Sequence, residues 1–304
     1  MNNTQKGIYF AIAAAILSGF SIFLNKFAVT AITPPLVFTA TKNFSVGLLI
    51  IGIIIATKKW RLFKEIKKQD FLKLTLIGII GGSLPFYLFF TGLSQTSAIN
   101  GAMIHKSLVF WVAILAFPLL KEKLSRVQIL AISLLFISNY FVGGFSGFQF
   151  SQAEAMILLA TILWAGETIL VKKLLPRVDP DIVLAFRMGL GSLILLSASF
   201  FAYPASVLQI TTLTSVQLFW LLLTAIILFA YVATWYRALK YAPAILVSAI
   251  LVSSTLITNL LSAIFITHSL PSVLLSSQSA LVLSGLAFLF VFSRETTQKL
   301  QKAV

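Results

Sequence analysis

The chain is a succession of ten apolar runs, each close to the roughly 20 residues that an α-helix needs to cross a bilayer. They extend over Gly7 to Val29, Leu36 to Thr57, Phe71 to Leu93, Ser97 to Ser125, Gln128 to Gly144, Ala153 to Leu175, Ile182 to Tyr203, Gln217 to Leu239, Ala242 to Thr267 and Val273 to Phe292. Hydrocarbon offers no water to satisfy backbone N–H and C=O groups, so a continuous apolar run of this length must be a helix. The predicted fold class is therefore all-α integral membrane. Composition agrees, since 59% of the residues are hydrophobic and only 10% are charged, far from the balance of a soluble domain. The first run lacks a small-residue cleavage site after a short core and reads as a retained helix.

A formal net charge of +15 would suggest a nucleic-acid partner in a soluble protein. Here the charge sits at the ends of the runs. Lys58, Lys59, Arg61, Lys64, Lys67, Lys68 and Lys73 follow the second run, opposed only by Glu65 and Asp70. Lys121, Lys123 and Arg126 follow the fourth, Lys172, Lys173 and Arg177 the sixth, Arg237 and Lys240 the eighth, and Arg294, Lys299 and Lys302 the tenth. The connections after the odd-numbered runs carry no charged residue. That alternation predicts both termini in the cytoplasm of a multi-pass protein of the plasma (inner) membrane. Its partner is the lipid bilayer, not nucleic acid.

Several chemistries are disfavoured. There is no cysteine, hence no disulfide or thiolate ligand, and two histidines with eight acids are a poor basis for a metal enzyme. No glycine-rich loop ending in Lys-Ser or Lys-Thr is present to cradle a nucleotide. The chain is expected to hold no cofactor and to catalyse no reaction. Secondary transport of a small-molecule substrate, with possible coupling to protons or a counter-substrate, fits better than pumping.

A shift of 146 residues, without a gap, pairs Lys26 with Lys172, Pro34 with Pro180, Val37 with Val183, Ser97-Ala98-Ile99 with Pro243-Ala244-Ile245, and Leu124 with Leu270. The expected halves are residues 1–146 and 147–304. Five spans is an odd number, so the second half would enter the membrane from the opposite side and be inverted relative to the first. Gly81-Gly82-Ser83-Leu84-Pro85 interrupts the third run and predicts a kink there, because proline removes a backbone donor.

The segment Leu119-Leu120-Lys121-Glu122-Lys123-Leu124-Ser125, with its acidic Glu-Lys-Leu-Ser ending, and Leu163-Trp164-Ala165 on the sixth run resemble the EamA-type branch of the drug/metabolite transporter superfamily. The resemblance covers nearly the whole chain and implies ten helices in two five-helix halves working by alternating access, with amino acids the leading substrates. The chain departs from the pattern at Val109, where many members carry proline, and at His268, where the second half often carries glutamate.

Charge deep inside an apolar run is costly and marks candidate sites. His105 and Lys106 lie about 12 Å, and Lys42 about 10 Å, from the ends of their helices at 1.5 Å per residue. Lys26 is shallower. Either these groups line a water-filled cavity that attracts an anion, or the lysines snorkel to the surface. Lys106 is expected to face the cavity and His105 a neighbouring helix, since adjacent helical positions point about 100° apart. Glu167 and Arg187, at similar depth on adjoining helices, are expected to form a gate or an ion pair. Trp164, Tyr87, Tyr231 and Trp235 are the aromatics placed to stack on a substrate. Three readings stay open: a carrier of small polar or amphipathic metabolites, a carrier of phosphorylated or nucleotide-linked sugars, and a channel or non-transporting scaffold.

Overall fold

A computed structural model describes residues 2–123, 126–137 and 147–266, together with positions 268, 282, 283 and 285. Its elements are α1 (Asn3–Ala31), α2 (Pro35–Ala56), a 3-10 turn (Lys59–Glu65), α3 (Lys68–Ile80), α4 (Leu84–Ser94), α5 (Ala98–Lys106), α6 (Leu108–Leu120), α7 (Arg126–Ile137) and α8 (Gln152–Leu174). There follow α9 (Pro180–Ala185), a π-helical turn (Phe186–Leu190), α10 (Gly191–Ala202), α11 (Pro204–Leu208), a 3-10 turn (Gln209–Thr212), α12 (Ser215–Tyr241), α13 (Ala244–Val252) and α14 (Ser254–Phe265). No strand occurs among the described residues.

Among the described residues eight helices or broken helix pairs are long and apolar enough to cross a membrane. The fifth expected run is met by the shorter α7; most of the tenth lies outside the described residues. Local signals set the starts. Asn2 and Thr214 each form a capping box with the glutamine three residues on, and Ser97, Ser151 and Asp179 accept from the amides of Asn100, Glu154 and Asp181. Pro35 and Pro180 occupy first-turn positions, where no amide partner is lost.

Helices of the first half pack against helices of the second: α1 on α12, α4 on α8, and α2 on α10. The pairs run antiparallel. Gln217, at the start of α12, donates to the carbonyl of Ala31 at the end of α1, while a Cβ on Gly7 would sit 2.5 Å from Ala242 at their other ends. Likewise Gly92, late in α4, lies against Ala153, early in α8. In hydrocarbon such packing draws on van der Waals contact rather than on escape from water. Small residues on α1, Ala11, Ala14, Ala15 and Ser18, are accordingly buried. Large apolar side chains such as Leu48, Ile55, Phe201 and Ile226 point outward, as lipid requires.

The repeat is visible in the bonding. Lys26 donates to the carbonyls of Leu93 (3.1 Å) and Ser94 (3.3 Å), and Lys172 to those of Leu239 and Ala242 (2.6 Å each). Lys172 and Leu239 each stand 146 residues after Lys26 and Leu93. Both broken pairs following them, α5–α6 and α13–α14, break at a serine, Ser107 and Ser253, whose hydroxyl turns back 2.7 Å to the carbonyl three residues earlier.

Candidate functional site

The predicted kink at Gly81–Pro85 is a break between α3 and α4, and it builds the site. In an unbroken helix the Gly81 carbonyl would accept from the amide of residue 85, but Pro85 has none. That orphan oxygen instead accepts from the Trp164 indole (3.0 Å) on α8 and from Arg187 Nε (3.2 Å) on the π-helical turn. Gly82 makes the approach possible, since a Cβ there would sit 1.9 Å from the carbonyl oxygen of Arg187.

Arg187 and Glu167 lie together, 4% and 1% exposed, with Nη1 3.8 Å from Oε1. Tyr236, on α12, bridges them. Its hydroxyl donates to Glu167 Oε1 and accepts from Arg187 Nη1 at 3.4 Å. Both side chains line a central cavity of about 50 Å³, together with Ser18, His105, Trp164 and Tyr231. Phe86, Phe89, Phe90 and Trp235 complete much of its apolar wall. Among the described residues Glu167 Oε2 and Arg187 Nη2 have no hydrogen-bond partner. The cavity therefore presents one open acceptor of negative charge and one open donor of positive charge.

The other sequence candidates divide. Trp164 and Tyr231 are on the wall. His105 is too, with its ring edge-on to Phe89 and Trp164 at 5.4 and 5.2 Å between centroids. Lys106 stands behind it, 1% exposed, its Nζ 2.9 Å from Ser18 Oγ and 3.1 Å from His105 Nδ1. The facing is thus the reverse of the sequence expectation, because α5 ends at Lys106 and turns that side chain toward α1. Lys42 is away from the wall: its ammonium donates to Asn25 Oδ1 at 2.7 Å and sits 3.4 Å over the Phe90 ring. Tyr87 lies on the outer surface of α4, 37% exposed. Sequence reasoning passed over Tyr236; the buried Trp235-Tyr236 pair one helical turn after Tyr231 was the available signal.

The sequence profile of the EamA-like transporter family matches residues 5–144 and again residues 151–293. The chain belongs to that family. Two relatives are an uncharacterized transporter, YyaM, of Bacillus subtilis, 27% identical over 200 residues, and an uncharacterized transporter of Methanothermobacter thermautotrophicus, 26% identical over 138 residues. The matches cover 61% and 43% of this chain and only 64% and 40% of those proteins. A crystal structure described only as that of a protein superposes with a TM-score of 0.74 over 96% of this chain and 97% of its own, at 14% identity, which speaks to fold alone. This member of the EamA-like transporter family thus has Glu167 and Arg187 buried together at its centre.

Proposed function

We propose that this EamA-family protein is a ten-helix secondary carrier of small polar or amphipathic metabolites, with amino acids the leading class. It works by alternating access between two inverted five-helix repeats, residues 1–146 and 147–304, with both termini on the cytoplasmic side of the plasma (inner) membrane. One observation carries the substrate class: the open valences of Glu167 Oε2 and Arg187 Nη2 share one cavity wall. A substrate bearing an ammonium and a carboxylate satisfies both, and the aromatic wall accepts its side chain.

A phosphorylated or nucleotide-linked sugar would meet the Glu167 carboxylate with like charge, which weighs against that alternative. A channel is disfavoured by the cavity itself. Its volume of about 50 Å³ holds a few waters and no amino acid, so passage requires the halves to move.

The test is purified protein in proteoliposomes loaded with an amino-acid panel, read by counterflow of labelled substrate with and without a proton gradient. Exchange of at least one zwitterionic amino acid is expected, with about a hundredfold loss of kcat/KM in Glu167→Gln through an unpaired buried Arg187. Exchange of phosphorylated sugars but not amino acids would move the assignment to the alternative, and ungated conductance would make the protein a channel.

A further inference from the structure

His105 is on the cavity wall and Lys106 stands behind it. The ammonium has two polar neighbours among the described residues, Ser18 Oγ and His105 Nδ1, and neither is a carboxylate. As an ammonium Lys106 can only donate, and in that state its 3.1 Å contact has Nδ1 accepting. A neutral imidazole that accepts at Nδ1 carries its proton at Nε2. Nε2 has no hydrogen-bond partner among the described residues, and the ring is held in place by Phe89 and Trp164.

We propose that Lys106 is a positioning residue: as an ammonium it holds His105 with Nδ1 accepting, so that Nε2–H donates to the cavity and takes one oxygen of the substrate's carboxylate, the other oxygen going to Arg187. This rests on the reading of the cavity as a zwitterion site, and it assigns the carboxylate a two-sided grip across Trp164, which contacts the His105 ring and shares the Gly81 carbonyl with Arg187. The ammonium stays behind the wall, unable to form a tight ion pair that would hold the substrate in place. Ser18, which reaches both Lys106 and the cavity, keeps the ammonium from swinging forward.

The chain has two histidines, so ¹⁵N-histidine labelling of the full protein in nanodiscs gives two side chains, and His268→Gln assigns them. At neutral pH His105 is expected as the Nε2–H tautomer; an Nδ1–H tautomer or an imidazolium in the wild type overturns the proposal without any transport measurement. Lys106→Met should release the ring to a mixture of tautomers, whereas Lys106→Arg, whose guanidinium donates and cannot accept, should keep Nε2–H. A ring unchanged in Lys106→Met also overturns it. For an amino acid shown to bind, Lys106→Met should weaken affinity about tenfold while affinity for its methyl ester shifts less than about twofold. Equal losses for acid and ester would reduce Lys106 to a packing role. The tautomer measurement stands even if the transported substrate belongs to another class.

Discussion

The two faces of the molecule are held together by different chemistry. On the face that carries residues 57–67, 174–180 and 240–244, the halves are joined by charge. Lys59 reaches Asp179 (3.1 Å) and Asp181 (2.6 Å), Arg177 reaches Asp70 (2.8 Å), and Glu122 accepts from the amides of Ala244 (2.8 Å) and Ile245 (3.0 Å) at the start of α13. Arg237 holds Asp181 from within the second half at 2.7 Å. On the opposite face the positions 146 residues away carry no Lys, Arg, Asp or Glu: Ala205 for Lys59, Thr33 and Pro35 for Asp179 and Asp181, Ala31 for Arg177, Val216 for Asp70, His268 for Glu122. Near the Arg177–Asp70 equivalents the tie across the halves is neutral, Gln217 to the Ala31 carbonyl at 2.9 Å. Even the helix caps follow this rule. Pro243 has no side chain to cap α13, so Glu122 does it from the other half; Ser97 caps α5 from within its own. A symmetric scaffold thus carries one seam of ion pairs and one without them, where Gln217 reaches the Ala31 carbonyl and Asn100 donates to the buried Glu154 carboxylate at 3.1 Å, and the ion-paired seam should be harder to open and more sensitive to salt.

The sharpest way to break this comparison is Asp181→Asn. Asp181 is 5% exposed and takes a cation from each half, so its loss leaves Lys59 and Arg237 facing each other without their common acid. A loss of about 1–3 kcal/mol at that seam is expected. Because the chain has no cysteine, Ser21→Cys on the cavity wall provides a single thiol. Its labelling by an impermeant reagent should rise when the reagent is applied at the basic face and stay level at the other. No change from either side would mean that the ionic seam does not gate the cavity.

The second test exploits the caps. Glu122→Gln should lower thermal stability by about 0.5–2 kcal/mol and flatten its dependence on salt, since a charge-assisted cap across the halves is lost. Ser97→Ala should cost a similar amount and keep the salt dependence of the wild type. If both variants respond alike to salt, the seams are not electrostatically distinct.

Some of this was legible in the sequence and some was not. The apolar runs, the kink and the family follow from local composition, because a bilayer permits few solutions to backbone hydrogen bonding. The orphan Gly81 carbonyl follows from the same proline once the partner at position 85 is considered, but its two donors, Trp164 and Arg187, come from distant helices and do not. The facing of Lys106 does not, since it depends on α5 stopping at Ser107 and on Ser18 lying opposite. Nor does the fate of Lys42: depth alone made it equivalent to Lys106, yet Asn25 and Phe90 enclose it. The repeat shift foretold that Lys26 and Lys172 correspond, but charges that one half has and the other lacks become meaningful only when both faces are compared.

Alkaline titration gives a smaller effect. Partial burial of Lys59 works to lower its pKa, but its bonds to Asp181 and Asp179 outweigh that and raise it above 10.5. A raised pKa means the contribution is fully present below the ordinary lysine value and is lost only as pH rises through the folded-state value. Thiol labelling from the basic face should therefore be flat through the neutral range. The extra alkaline increase should be absent in Lys59→Met, and a Lys59-dependent change near neutrality would contradict the assignment.

The mildest perturbation, Gln217→Ala, probes the seam without ion pairs. It removes a hydrogen bond between uncharged groups, and the Ala31 carbonyl left behind lies at a helix end where water can replace the amide. The expected loss is about 0.5–1 kcal/mol, the same at low and high salt because no charge is involved. Gln217 also forms the capping box of α12 with Thr214, so Thr214→Ala serves as the control, weakening the same helix start without touching Ala31. If Gln217→Ala raises labelling of the cavity thiol from that face and Thr214→Ala does not, the bond to Ala31 is a fastener of that side. Equal effects would assign the change to fraying of α12, and the bond to Ala31 would then not itself fasten that seam.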